Sequence, residues 1–332
     1  MFDQNYIQKK YVIKEDKPGE EWNIFNTRSQ NKSISCDLEF INLDETDKKF
    51  FSIFKNKECV AKFFLILNKK EKRIVLSQKL IYTPIIYREI SNQTQSSSIT
   101  ERNEILAFFA YFILENYKEA KFILDYLSND MRPFSWINFI AREDHFSIDQ
   151  VKYTQVLNLK NFKDDKPTES SIYKNFSSRI KQSIKYTEEE GYKVIEKFDL
   201  NFFIETIRAT FIRQNLKPDF DIEKRAKVIE KLYKNKKIYM FISYDKKKIK
   251  TCFSLFGVIK DKAIYLHGGR FKELKTDNSL AHNLFKSMII LFKNFEINTL
   301  DLEGVNSPSR AFFKAGFGGK LKPYYINKLI KT

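Results

Sequence analysis

The sequence predicts an α+β protein built as two tandem halves, each a mixed, mostly antiparallel sheet flanked by helices. Three observations predict it. β-rich runs separated by short charged turns occur twice, at 50–54, 58–67 and 73–78 and again at 238–244, 249–259 and 263–268. Each set is followed by an amphipathic helix and one more strand, 101–117 with 121–127 and 279–295 with 299–302. The length, 332 residues, exceeds one ordinary domain and suits two of roughly 150 residues.

Taken in order, Pro18 opens a helix over 18–30 with Trp22, Ile24 and Phe25 as its apolar contacts. The first meander follows, and 80–87 extends it with Pro84 at an edge or bulge. The run SNQTQSSSIT at 91–100 reads as a polar loop whose last residue, Thr100, caps the next helix. There Ile105, Leu106, Phe109, Phe112 and Ile113 repeat at helical spacing. After the strand at 121–127, MRPFSWINF, with Arg132, Trp136 and Phe139, is either a substrate wall or core, and 153–159 closes the first half. Polar residues 161–171, with Pro167 among them, read as the crossover, so the domains are placed at 1–165 and 166–332. Helices at 172–190, stopped by Gly191, at 200–214, and from an Asp221 cap to about 235 lead into the second meander.

The net charge of +17, from 59 basic and 42 acidic residues, points to an anionic partner, although many of the lysines also read as solvated helix faces and turns. Hydrophobic content of 42%, with 15% aromatic residues, excludes a largely disordered chain. Cys36, Cys59 and Cys252 are odd in number and form no metal-spaced pair, so a reducing compartment and no bound metal are expected. The first residues lack an apolar signal core and no run approaches about 18 apolar residues, which predicts a cytoplasmic protein with no transmembrane segment. No Ser-His-Asp set or nucleophilic cysteine supports a hydrolase.

The most informative stretch is 300–325, LDLEGVNSPSRAFFKAGFGGKLKPYY. A short strand ends in Glu303 and Gly304, a turn with Asn306 and Pro308 follows, and Ser307 or Ser309 caps a helix through Ala311, Phe312, Phe313 and Lys314. Gly316 is expected to end it in the left-handed conformation, and Gly318 and Gly319 to leave bare backbone beside a ligand. This order, with FKAGFGG before an aromatic strand, resembles the C-terminal end of FemAB-type transferases of the GNAT acyltransferase superfamily. A second match, FSSRIKQSIKYTEEEGYKV at 176–194, is similar to that family's linker helix, with Arg179 and Lys181 at its basic positions. The likeness covers about residues 150–328 and is topological before that. It implies two tandem GNAT-like domains, the second carrying FKAGFGG. It further implies transfer of an acyl or aminoacyl group from acyl-CoA or aminoacyl-tRNA to an amine of a cell-envelope precursor, either a peptidoglycan peptide or an amino sugar of a surface polysaccharide. The donor is a substrate, so no tightly bound cofactor is implied.

Acyl transfer needs an amine freed of its proton and a polarised donor carbonyl. Glu303, at the end of its strand, and His267, just before Gly268 and Gly269, are the base candidates. By resemblance, Lys314 lies at the donor site and stabilises developing negative charge. Arg179 and Lys181 would hold the diphosphate of a nucleotide- or lipid-linked acceptor, a setting that allows peripheral contact with the inner membrane face. Lys181 and Lys185 stand at i, i+4, and their bland reading is a solvated face paired with residues 188–190. Asn306, Gly318, Gly319 and Arg270 complete the substrate-binding set, and Arg270, Lys272 and Lys275 are placed to grip donor phosphates. Two departures stand out. The turn before Leu280 has no glycine, so the pyrophosphate loop of coenzyme A-binding relatives is missing, which favours aminoacyl-tRNA; and Phe313 stands where many acetyltransferases carry a proton-donating tyrosine. Both keep open a different class, a non-catalytic RNA-binding or membrane-surface protein on the same fold. His282, on the helical face opposite Leu284 and Phe285, reads as surface.

Overall fold

The structure, a computed structural model, describes residues 4–332 apart from 69, 71, 78, 90–93, 129, 140–142, 163–165, 219 and 272–278. It divides into two compact units, residues 1–152 with 323–332, and residues 153–322. The division falls ahead of the expected break at 165/166, and the chain's closing strand belongs to unit 1 rather than to the second half.

The elements run α1 (Gln4–Lys10), β1 (Tyr11–Asp16), α2 (Glu20–Arg28), α3 (Leu38–Ile41), β2 (Lys48–Lys55), β3 (Glu58–Asn68), β4 (Arg73–Ile74), β5 (Ile86–Tyr87), α4 (Gln95–Asn116), β6 (Glu119–Ile123), α5 (Arg132–Ser135) and β7 (His145–Asn158). There follow α6 (Ser171–Lys174), α7 (Ser178–Glu189), β8 (Lys193–Glu196), α8 (Leu200–Arg213), α9 (Ile222–Lys234), β9 (Ile238–Tyr244), β10 (Lys250–Ile259), β11 (Lys262–Arg270), α10 (Ser279–Phe295), β12 (Thr299–Asp301), α11 (Pro308–Ala315) and β13 (Lys320–Ile330).

In unit 1 the strand order is β1, β2, β3, β4, β6, β13, with β5 on β3. Neighbours are antiparallel except β4 and β6, which pair in parallel through Arg73–Glu119 and Ile74–Ala120. The core is aromatic: Phe63 and Phe122 each meet Phe109 edge-on, and Phe134 packs on Phe109, Phe122 and Phe146. Phe134 settles MRPFSWINF as core at that residue, while Phe139 is 73% exposed. The helix expected from Thr100 begins at Gln95, capped by Thr94, whose hydroxyl accepts from Ser97 N–H. Its polar start is stable because Glu101 pairs with Arg88 at 3.0 Å and Lys55 at 3.1 Å, and Glu104 with Lys10 at 2.7 Å. Of the strands expected over 73–78 and 80–87 only Arg73–Ile74 and Ile86–Tyr87 form, and between them the Thr83 N–H and hydroxyl both donate to Ile123 O.

In unit 2 the order is β7, β12, β11, β10, β9, β8. Among the described residues, β11 and β12 pair in parallel over Lys262–Thr299, Ala263–Leu300 and Ile264–Asp301, and the other neighbours are antiparallel. From Tyr265 to Arg270, again among the described residues, β11 pairs with β10 and not with β12, so its edge parts from β12. The helix expected over 172–190 breaks into α6 and α7, and Ser177 caps α7 while its own N–H donates to Gly316 O at 2.8 Å. The core gathers Phe241, Phe256, Tyr265, Leu284, Phe285 and Phe317. No helix among the described residues is long and apolar enough to cross a membrane.

Candidate functional site

Where β11 leaves β12, the segment after β12 still bonds to β7, but out of step. Leu302 N–H donates to Gln155 O at 2.8 Å and Val305 N–H to Tyr153 O at 2.9 Å. Leu302 to Val305 spans three steps where Gln155 to Tyr153 spans two, so Glu303 and Gly304 form a bulge. Glu303 adopts φ of 59°, a left-handed conformation that costs a non-glycine residue on the order of 1 kcal/mol. Its N–H is held by Asp301 Oδ1 at 2.7 Å, and the same oxygen accepts from the Thr154 hydroxyl. Asp301 is therefore a buried brace for the bulge.

Lys314, in the last turn of α11, is 4% exposed. Its Nζ donates to the Glu303 and Gly304 carbonyls at 3.1 and 3.2 Å, stands 3.6 Å from Glu303 Oε2, and lies 5.5 Å over the Tyr265 ring. Two hydrogen bonds to backbone carbonyls and an ion pair with the facing carboxylate engage this charge with the bulge. Burial lowers the Lys314 pKa against the pull of Glu303, and burial raises the Glu303 pKa against the pull of Lys314. The carboxylate is thus moved toward the range where a general base works. Tyr265 carried no sequence signal, because an aromatic in an alternating strand looks like core. A Cβ on Gly268 would collide with its hydroxyl, which is the close approach that requires glycine there. An irregularity opposite Leu255 and Phe256 puts Tyr265 and Gly268 on one face of the sheet, whereas His267 turns to the other, toward Phe203 of α8.

His267 lies 3.1 Å from Arg225 Nη2 through its Nε2. A guanidinium only donates, so Nε2 is the bare nitrogen and the ring proton sits on Nδ1. Burial first, then the charges of Arg225, Arg310 and Lys314, push its pKa from 6.5 down to about 3. Proposed from sequence as a base, His267 is instead a neutral ring whose accepting nitrogen is already used. His282, expected at the surface, is 1% exposed, 4.0 Å from Glu188 of α7. Helical spacing defines faces but not which of them another helix covers. Burial, then Lys286, lowers its pKa to about 4.

Both imidazoles give a pH-dependent stability with a definite sign. The unfolded chain takes up these protons near 6.5, the folded one only near 3 and 4, so the unfolded state binds more protons in between. Stability should therefore fall as pH drops from about 6.5 to about 4, at up to about 2.7 kcal/mol per pH unit for two protons. Urea melts across that window should show the slope, and His282→Leu should halve this contribution; an unchanged slope would refute the burial argument.

The remaining sequence candidates scatter. Arg179 is exposed on α7, whereas Lys181 Nζ donates to Lys174 O at 2.7 Å and lies 5.9 Å over Tyr173. Lys185 stands 3.8 Å from Glu189, in keeping with a solvated face. Asn306 pairs with the Tyr153 backbone in both directions, at 2.7 and 3.2 Å, and so closes the bulge. Gly316 is not left-handed, with φ of −59°; a Cβ there would stand 2.6 Å from Ile180, so close packing of α7 explains this glycine. The left-handed residue is Gly318, φ 68°, and the space beside Gly318 and Gly319 is filled by Asn175, Gln155 and Val156 rather than open to a ligand. Phe313 packs edge-on against Phe317. Arg270 O accepts from Arg213 at 2.8 Å, and Lys272 and Lys275 lie outside the described residues. Sequence reasoning missed Arg225 and Arg310, whose charges converge on His267.

No protein-family model matches the sequence, and no curated protein matches it. The structure is similar to FemX (13% identity, TM-score 0.61, over 94% of this chain and 96% of that one). It is similar also to the C-terminal domain of a putative lysylphosphatidylglycerol synthetase from Agrobacterium fabrum (12%, 0.56, 93% and 90%). A third likeness is to a tandem GNAT protein from the clavulanic acid biosynthesis pathway (6%, 0.53, 97% and 98%). At such identities the shared property is architecture: this chain has the tandem GNAT-like α+β fold of the FemAB type.

Proposed function

We propose that unit 2 is the catalytic half of an acyltransferase that forms an amide on an amino group of a cell-envelope precursor. The observation that carries this reading is Glu303, a carboxylate of raised pKa on a strained bulge where β11 and β12 part. Its role is to take the proton of the acceptor amine as that nitrogen attacks the donor carbonyl. The C–N bond forms, the donor's ester or thioester bond breaks, and the leaving oxygen or sulfur departs with a proton. Lys314 keeps the carboxylate ionised and aimed. The absent pyrophosphate loop and the charge of +17 favour aminoacyl-tRNA over acyl-CoA as donor. The exposed Arg179 is assigned to the phosphates of a nucleotide- or lipid-linked acceptor, in the cytoplasm or at the inner membrane face.

Labelled aminoacyl-tRNA or acetyl-CoA, mixed with the protein and an amine-bearing nucleotide-linked precursor, should yield an alkali-stable amide. Product should form faster from the tRNA and fall steeply with salt. Arg179→Ala should raise KM for the precursor about tenfold, the loss of one charge-assisted contact of roughly 1.5–3 kcal/mol. Transfer from neither donor would end this reading, and salt-insensitive transfer from acetyl-CoA alone would reassign the donor.

A further inference from the structure

The last rung between β11 and β12 is Ile264–Asp301, and each strand carries a polar side chain just beyond it. On the β12 side this is Glu303, the carboxylate that the proposed reaction uses. On the β11 side it is Tyr265, 6% exposed. A Cβ on Gly268 would fall 1.6 Å from the Tyr265 hydroxyl oxygen, so the hydroxyl lies over the stretch of β11 that has parted from β12. Lys314 meets both side chains, its Nζ 3.6 Å from Glu303 Oε2 and 5.5 Å from the centre of the Tyr265 ring. Packing accounts for the ring, which lies 5.5 Å from Phe256 and shares a core with Leu284, Phe285 and Phe317. It does not account for the hydroxyl. Among the described residues no hydrogen bond reaches that oxygen, whereas a buried phenol ordinarily finds a partner. A phenylalanine would fill the same core without leaving a donor unused at the fork.

We propose that the Tyr265 hydroxyl is the general acid of the transfer, giving its proton to the leaving group of the donor. This rests on the transferase reading of the same site and names the acid that the reading requires. The amine nitrogen attacks the donor carbonyl, the C–N bond forms, and Glu303 takes the amine's proton. The ester C–O or thioester C–S bond then breaks, its electron pair goes to the oxygen or sulfur, and that atom takes the phenolic proton. The proton held by Glu303 returns to the phenolate through water, so both groups end as they began. Burial raises the Tyr265 pKa above its ordinary 10, which keeps the phenol protonated at neutral pH. The Lys314 ammonium beside the ring offsets the negative charge that the ring carries in passing. Phe313, next to Lys314 in sequence, has no proton to give and packs against Phe317.

Tyr265→Phe tests this, because it removes one partnerless oxygen and keeps the ring under Lys314; its urea melt should match that of the wild type. With aminoacyl-tRNA as donor, kcat should fall about 100-fold or more while KM for donor and acceptor stays within about twofold. A p-nitrophenyl ester of the same aminoacyl group releases an anion that needs no proton, so the variant should use it within about threefold of the wild-type rate. This dependence on the leaving group is what a structural role would not produce. Equal slowing with both donors would make the hydroxyl a positioning group and overturn the proposal, as would a wild-type kcat with aminoacyl-tRNA; in both cases transfer by the wild type leaves the transferase reading standing. A wild-type protein that transfers from no donor would remove that reading, and the proposed acid with it.

Discussion

Glu303→Gln should lower turnover by about 100- to 10,000-fold, the range lost with a positioned general base. The substitution keeps the side chain's shape, and the bonds from Lys314 to the Glu303 and Gly304 backbone carbonyls do not depend on the carboxylate, so the fold should survive. In the wild type, burial raises the pKa of this group, and a base must be unprotonated to act. The rate should thus fall as pH drops through a value above the ordinary 4.5, and the glutamine variant should lack that limb. A glutamine variant with normal turnover, or with the acid limb intact, would place the base elsewhere.

Lys314→Ala should lower the stability of unit 2 by about 3 kcal/mol, because one partner of a mostly buried ion pair is removed and the other stays. Two backbone carbonyls lose their donor at the same time. Lys314→Met restores the filled volume without the charge and isolates the electrostatic share. Without the lysine, Glu303 loses the neighbour that holds its pKa down, so the acid limb of the rate profile should move to higher pH and activity should partly return in alkaline buffer. If Lys314 instead met the developing oxyanion directly, the methionine variant would be slow at every pH. Chemical melts and pH–rate profiles of the two variants decide between these outcomes.

Much of unit 2 was legible because its signals are local. The Asp221 cap, the apolar run of β9 and the periodicity of α10 depend only on neighbouring residues, and the structure places those elements within a residue or two of their expected bounds. The edge strands β1 and β8 were not legible. YVIKED and KVIE are short and polar, and pairing with β2 and β9 makes them strands. In the site, Glu303 and Lys314 stood out through the turn and FKAGFGG, but their mutual burial depends on how α11 folds back, which spacing does not encode. Arg225 and Arg310 had no signature at all, since each sits on the polar side of a helix and gains meaning only from His267, 42 and 43 positions away in sequence. The glycines at 316 and 318 exchanged roles because close packing and left-handed backbone demand the same residue.

The return of residues 323–332 to unit 1 bears on the order in which the chain is made. During synthesis β6 leaves the ribosome with its neighbour β4, but its other partner, β13, is some two hundred residues away in sequence, and Phe122 waits for Asn327 across that interval. Throughout that time the nascent sheet ends in an unpaired strand edge, a template for joining another chain. The first-made unit is thus finished last, and its exposed edge belongs to the translating intermediate rather than to the finished protein.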